Sequence, residues 1–528
     1  MKNLFLYFFI MAGSVYSQKI FNVKDYGATG NKEGSARASI QKAIDACAAN
    51  GGGMVYLPPG QYSSGTIHLK SNIRFYIEAG ATLYSIKDSS AFDKDALIYG
   101  DSLQNISIEG KGTIDGQARY EWRVNDIEDD LIRANKDMMV SLGKPLMRSF
   151  PKRNQYGHLL LLLRCKDVRI TGLSFIDSPS WTINLYACER IVMDGLYVHS
   201  DTKYGVWADG IDPDGCKDLR ISNCTVETGD DALVFWSYNI YGPALPCENI
   251  TVTNCRFTSA SSGIKFCDGN MSGIRNVTID NCVIKGANRG IAFMDFDGGE
   301  ISDIVLSNLT IDCIRYDWFW WGDGDPLHFN VKRRSQISKG IKPEADKPAG
   351  KIQRVLISNV IARGKGSSIC NGHPDTWMED ITVNNLKLYI AHDPQAPFDK
   401  AVHALEFKQV KNLKLKNVDI FWDSPESPKW ESALYLEDID GLEVDDLTAR
   451  QAKTGANTPA VVFSQVENAV IRNSTAQAGT GTFLNFIGDK TKNILVYSNN
   501  FTNAKIPFTK ATNVGSGAIR SEMNFTQK

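Results

Sequence analysis

One short frame, written five times, constrains this chain more than any other feature. W-T-I-N-L at Trp181, D-G-I-D-P at Asp209, D-A-L-V-F at Asp231, S-G-I-K-F at Ser262 and R-G-I-A-F at Arg289 are copies of one pattern, at steps of 28, 22, 31 and 27 residues. A short apolar strand preceded by a turn, recurring at such an interval, is the signature of a β-solenoid. Stacked coils bring equivalent positions into register about 4.8 Å apart. Asp209 is therefore expected directly against Asp231, one coil away, with Asp230 beside it. Position +3 of the frame carries Asn184, Asp212, Val234, Lys265 and Ala292, so Lys265 is the one cation in its column. Three readings are open to it: meeting a substrate anion, pairing with Asp231 or Asp212 and tuning their ionisation, or standing solvated on an outer face.

A second marker, an apolar-x-apolar strand followed by a small or polar turn residue, repeats from ISIEGKG at 106 to ILVYSNNF at 494. Asn fills the turn in many copies, and a ladder of amides inside the coil, bonding backbone groups of the next coil, is expected there. The pattern amounts to an all-β solenoid of about 10–13 coils. Ahead of it, Ala36, Ile40, Ala43, Ile44 and Cys47 fall at helical spacing, and Gly51 to Gly53 stop the helix. A short amphipathic helix there would cover the exposed end of the first coil.

Residues 1–17 read as a secretory signal: Lys2, then an apolar run from Leu4 to Met11, with cleavage expected before Gln18. Residues 18–528 then form one β-helix domain with two insertions. The first, 118–157, is charged and expected to be helical from Asp126 to Leu142. The second, 312–351, carries Trp318, Phe319, Trp320, Trp321 and His328. Loops that interrupt a solenoid gather on one face, often the binding face, and aromatic rings flanked by carboxylates suit sugar rings. Packing of the insertion on the coil is the competing reading.

A balance of 58 basic against 60 acidic residues, net charge −2, argues against nucleic-acid or membrane-surface partners. The eleven cysteines are odd in number, and Cys224, Cys255 and Cys282 each follow Asn in one frame. They are expected to form an internal column of small side chains. No Cys/His spacing suggests zinc, and no metal or cofactor is expected.

The stretches GGGMVYLPPGQYSSGTIHLKSNIRFYIEAGATLY, ADGIDPDGC, TGDDAL and RNVTIDNC resemble glycoside hydrolase family 28, the polygalacturonase family, most clearly up to about residue 330. The resemblance implies a right-handed parallel β-helix and inverting hydrolysis of pectic glycosidic bonds. It maps the catalytic carboxylates onto Asp209, Asp230 and Asp231. Asp230 would be the general acid, while Asp209 and Asp231 hold and deprotonate water. Three departures stand out. The family's N-T-D is Trp207-Ala208-Asp209, its G-H-G is Ser261-Ser262-Gly263, and its R-I-K is Ala292-Phe293-Met294. The acids are kept and the substrate-gripping residues changed, which argues for altered specificity. Lys265, Ser262, Trp207, Arg289, Trp320, Trp321 and His328 are the substrate-contact candidates.

Three functions remain open from sequence. The first is an exported, exo-acting inverting glycosidase on pectin-like or other acidic polysaccharide or oligosaccharide, expected as a monomer. The second is a polysaccharide lyase on the same scaffold, with Asp209, Asp212 and Asp214 as calcium donors. The third is a non-catalytic carbohydrate-binding solenoid, against which retention of all three acids speaks.

Overall fold

The computed structural model describes residues 19–120, 122–124, 149–151, 157–316, 322–334, 348–393, 402–423 and 427–526. The expected leader, the helix at 126–142 and the aromatic run Trp318 to Trp321 lie outside the described residues.

Coil after coil, the chain returns to pair in parallel with the strand one turn earlier, so that 37 strands join one continuous parallel sheet. This is a parallel β-helix. Its first turn is covered by helix α1 (Arg37–Ala49), which buries Ile40, Ala43, Ile44 and Cys47, the face expected from their spacing. The coil begins earlier and ends later than the repeats suggested. Gly53–Leu57 already pairs with Ile73–Ile77, and Ile519–Glu522 pairs with Lys492–Tyr497 at the other end.

The strands that matter for function stack on one face. They are β1 (Ile183–Tyr186), β2 (Ile211–Asp214), β3 (Leu233–Ser237), β4 (Ser262–Asn270), β5 (Arg289–Asp295) and β6 (Asp325–Val331). The register is that of the sequence frame: Asn184 lies opposite Asp212, Val234 opposite Lys265, and Lys265 opposite Ala292. β6 extends the column by one copy, with His328 opposite Ala292. The span 312–351 is thus not one uninterrupted loop, since it contains a regular strand of the stack.

Alternation along each strand sends the fifth residue of the frame inward. Phe235, Phe266, Phe293 and Phe329 form a buried aromatic file with centroids 5.2, 4.1 and 4.1 Å apart. Each buried ring contributes about 1.5–3 kcal/mol relative to exposure, and the file fixes the strands from which the site residues project. Cys224, Cys255 and Cys282 are buried and unbridged, as expected of an internal column.

The asparagine turns differ from expectation. Asn254 donates to Asn223 Oδ1 at 3.0 Å, Asn281 to Asn254 at 2.7 Å and Asn385 to Asn359 at 2.9 Å, all on the exposed surface. The ladder is amide to amide and lies outside the coil. The cause is backbone conformation: these residues have φ of 52 to 58°, the left-handed region that Asn tolerates better than most side chains.

Candidate active site

The first position of the frame forms a column built by the backbone. Thr182 N–H donates to the Asp209 carbonyl at 3.0 Å, Gly210 N–H to that of Asp231 at 2.9 Å, and Ala232 N–H to that of Ser262 at 2.9 Å. Consecutive coils must approach closely here, so the second frame position is small. A Cβ on Gly210 would lie 2.3 Å from the Ala232 carbonyl oxygen. The turn bearing Asp230 is equally tight, because a Cβ on Gly229 would lie 2.4 Å from the Gly205 carbonyl oxygen. Two hydroxyls, Thr228 and Ser259, donate to the Asp230 carbonyl at 2.7 and 2.6 Å, which pins the turn from both coils.

Four carboxyls collect on and beside this column, and all are buried: Asp209 and Asp231 in it, Asp230 in the turn before Asp231, and Asp212 in the +3 column. Their surroundings differ. Asp231 accepts from Ser261 Oγ at 2.8 Å, Ser262 N–H at 2.9 Å and Lys265 Nζ at 3.0 Å, the donor set of an ionised carboxylate. Asp209 is pushed well above the usual carboxylate range by burial and then by the charges of Asp230, Asp212 and Asp231. Burial also raises Asp212, opposed by the Trp236 indole N–H at 3.2 Å and a hydrogen bond with Asp209. Asp209 Oδ1 and Asp212 Oδ2 have no other donor. A pair of carboxyls in that situation retains a proton between them. Asp214, one pleat further, is raised to about 7 by burial, opposed by the Tyr238 N–H. That bond turns it from Asp209 and Asp212 toward the Tyr238 backbone.

The two flanks of the acid column are unlike. On the side of the earlier coils, the half-buried Trp181 and Trp236 rings lie 5.2 Å apart, and His158 Nε2 meets the Tyr241 hydroxyl at 2.9 Å. Asn184 donates to the same hydroxyl at 3.3 Å and leaves its own carbonyl oxygen unbonded. On the later side, Arg289 stands two coils beyond Asp231, opposite Asp325. Its Nε is buried without an acceptor. Lys332, exposed one residue past β6, is held below the usual lysine range by partial desolvation of its ammonium and then by repulsion from Arg289, so two cations share that flank.

The structure brings Asp209, Asp230, Asp231, Lys265, Ser262, Arg289 and His328 onto one face. Lys265 is given to Asp231. Ser262 is fully enclosed and serves Asp231 through its N–H, which makes it an anchor for the acid. His328 Nδ1 lies 3.0 Å from Asp325 Oδ2, an imidazole oriented by a carboxylate. Trp207 adopts φ 79°, a strained conformation for an aromatic residue and one that Asn accepts readily. Trp320 and Trp321 lie outside the described residues. Sequence reasoning gave little weight to Asp212 and overlooked Trp236 and Tyr241. Trp236 directly follows the D-A-L-V-F copy of the frame and Asp212 occupies the +3 column, so both carried a signal. Tyr241 comes from a loop and carried none.

The model of glycosyl hydrolases family 28 matches residues 47–318, a little over half of the chain. The chain belongs to that family. A "Probable polygalacturonase" of Vitis vinifera is 25% identical over 274 residues, 47% of this chain and 51% of the relative. An "Exopolygalacturonase" of Platanus acerifolia is 26% identical over 248 residues, 45% of this chain and 57% of the relative. The chain thus spans about half the length of the curated relatives it matches. Among solved structures, a hyperthermoactive exopolygalacturonase from Thermotoga maritima superimposes with a TM-score of 0.59 at 22% identity, covering 76% of this chain and 91% of that one. That likeness concerns the fold.

Proposed function

We propose that this family 28 member is a glycoside hydrolase acting on pectin-like, uronic-acid-containing polysaccharide or oligosaccharide by a single displacement that inverts the anomeric centre. The observation that carries the reading is the stacking of Asp209 on Asp231 with Asp230 in the adjoining turn. Inverting hydrolysis needs a protonated carboxyl at the leaving oxygen and a separate base with room for water. Asp230 takes the first role and gives its proton to the leaving oxygen. Asp231, with its three donors, suits the base that receives a proton from water, and Asp209 holds that water. Arg289 and Lys332 offer positive charge to a uronate carboxylate in place of the missing R-I-K cations. The exo mode is supported by the name of the Platanus relative. The leader-like residues 1–17 support action outside the cell.

The test is hydrolysis of reduced oligogalacturonides, with the first-formed anomer read by proton NMR before mutarotation. Inverted product is expected, and a retained anomer or an unsaturated product absorbing near 235 nm would overturn the reading. Arg289→Gln is expected to raise KM on these substrates about tenfold, the loss of one charge-assisted contact, with kcat little changed.

A further inference from the structure

Asp231 is the inner end of a chain of alternating charges that leaves the acid column altogether. Lys265 Nζ lies 3.0 Å from Asp231 Oδ2 and 3.3 Å from Asp268 Oδ1. Arg334 Nη1 donates to Asp268 Oδ2 at 3.1 Å, and its Nη2 to the Asp268 carbonyl at 3.0 Å. Arg334 Nε donates to Asp297 Oδ1 at 2.8 Å. Asp268 also accepts from the buried Cys267 thiol at 3.1 Å. The chain runs from the catalytic coil, along β4, to a segment 66 residues further on. Every member alternates in sign, so each of the half-buried charges Lys265, Asp268 and Arg334 has a counter-charge on both sides.

We propose that Asp268 and Arg334 are positioning residues for the hydrolytic reaction: together they hold the Lys265 ammonium on Asp231 and set the charge balance of the acid column. The proposal rests on the hydrolytic reading of the site given above. Geometry excludes the simpler role for Lys265. An ammonium clamped between two carboxylates, with the Trp236 ring centroid 5.9 Å away, has little capacity left for a substrate anion. Cys267, Asp230 and Asp209 are the other titratable groups that face it. Burial alone would discharge Lys265, yet Asp231, Asp268 and their neighbours hold it well above the usual lysine range. Asp268 is held well below the usual carboxylate range by Lys265 and Arg334 against its burial. The outer cation therefore keeps Asp268 ionised, and Asp268 keeps Lys265 in place.

The two outer residues carry opposite charge, so their removal has opposite sign. Arg334→Gln removes a positive charge, raises the proton affinity of the carboxyls, and moves the pH–rate profile upward by about half a pH unit. Asp268→Asn removes a negative charge and moves the profile downward by about as much. The double variant Asp268→Asn/Arg334→Gln restores the net charge and is expected to return the profile toward wild type. Arg334→Lys should rescue most of the shift. KM on oligogalacturonides is expected to change less than twofold throughout. A merely structural chain would lower stability in each variant and leave the profile where it was, and that outcome overturns the proposal. So do shifts of the same sign. If the wild type cleaves no oligogalacturonide, the hydrolytic reading fails by itself. The positioning chain is then read by carboxyl NMR of ¹³C-aspartate protein, in which the titration midpoints of the acid-column resonances, assigned by their loss in Asp209→Asn and Asp231→Asn, must move in opposite directions from wild type in the two variants.

Discussion

From Asn223 to Asn281, and again from Asn308 to Asn417, the turn column passes one amide hydrogen bond to the next along the outside of the coil, with Asn308 donating to Asp280 at the junction, while the column from Trp181 to Asp325 leaves polar atoms unanswered. Both columns come from the same repeat and the same interstrand spacing. In the first, identical side chains face solvent and satisfy one another. In the second, Ser262 Oγ and Arg289 Nε are buried without partners, and Asp209 Oδ1 and Asp212 Oδ2 have no donor beyond the proton the pair shares. Groups in that state cost free energy on the order of 1–3 kcal/mol each, a cost expected where a water or substrate group is to be bound. A periodic fold thus places function where it departs from its own hydrogen-bond pattern, and the ordinary ladder shows what the departure is measured against.

Asp230→Asn should widen the contrast most. An amide cannot give the leaving group its proton, so kcat is expected to fall by about 10²–10⁴-fold. Thr228, Ser259 and the Asp231 N–H keep the turn in place, and the melting curve should hardly move. A variant retaining a tenth of wild-type activity would remove Asp230 from its role. The ladder has no counterpart to this effect.

Asp214 lies at the edge of the acid column and connects it to stability. Burial pushes its carboxyl up to about 7, above the ordinary aspartate value of 3.8, so between roughly pH 4 and 7 the folded protein binds a proton that the unfolded chain has lost. Stability contributed by this group is therefore present below pH 4 and declines as pH rises to 7. The decline amounts to at most about 4 kcal/mol by linkage. Asp214→Asn keeps an acceptor for the Tyr238 N–H and abolishes the titration. Urea melts should show the variant gaining on wild type between pH 4 and 8, and equal midpoints at pH 8 would show that Asp214 is not held neutral.

The fold was legible because a β-helix writes its register into the sequence. The +3 column from Asn184 to Ala292 needed only the spacing of Ile183, Ile211, Leu233, Ile264 and Ile291, which do pair in the structure. The acids were legible for the same reason. The rest depended on contacts that no period encodes. Arg334 reaches Asp268 across 66 residues, and the Tyr241 hydroxyl arrives from a loop to meet His158 and Asn184. The placement of the Asn ladder was readable in principle. A residue type that tolerates positive φ, recurring at a turn, marks backbone that turns outward, whereas a buried amide ladder was inferred from hydrogen-bonding capacity alone.

The smallest effect tests the ordinary column. Asn254 has φ 58°, donates to Asn223 and accepts from Asn281. Asn254→Ala loses two exposed hydrogen bonds and forces a β-carbon into the left-handed region, a penalty of roughly 1–2 kcal/mol on its own. Asn254→Gly loses the same bonds without that strain, offset in part by the greater freedom of glycine in the unfolded chain. Ala is therefore expected to destabilise by about 1–2 kcal/mol and Gly by less than about 1 kcal/mol, read from urea midpoints at constant slope. Equal losses would mean that the amide bonds, not the backbone conformation, select Asn at this turn. In both variants kcat/KM should match wild type, because Asn254 is engaged by its ladder neighbours on both sides, on the exposed surface.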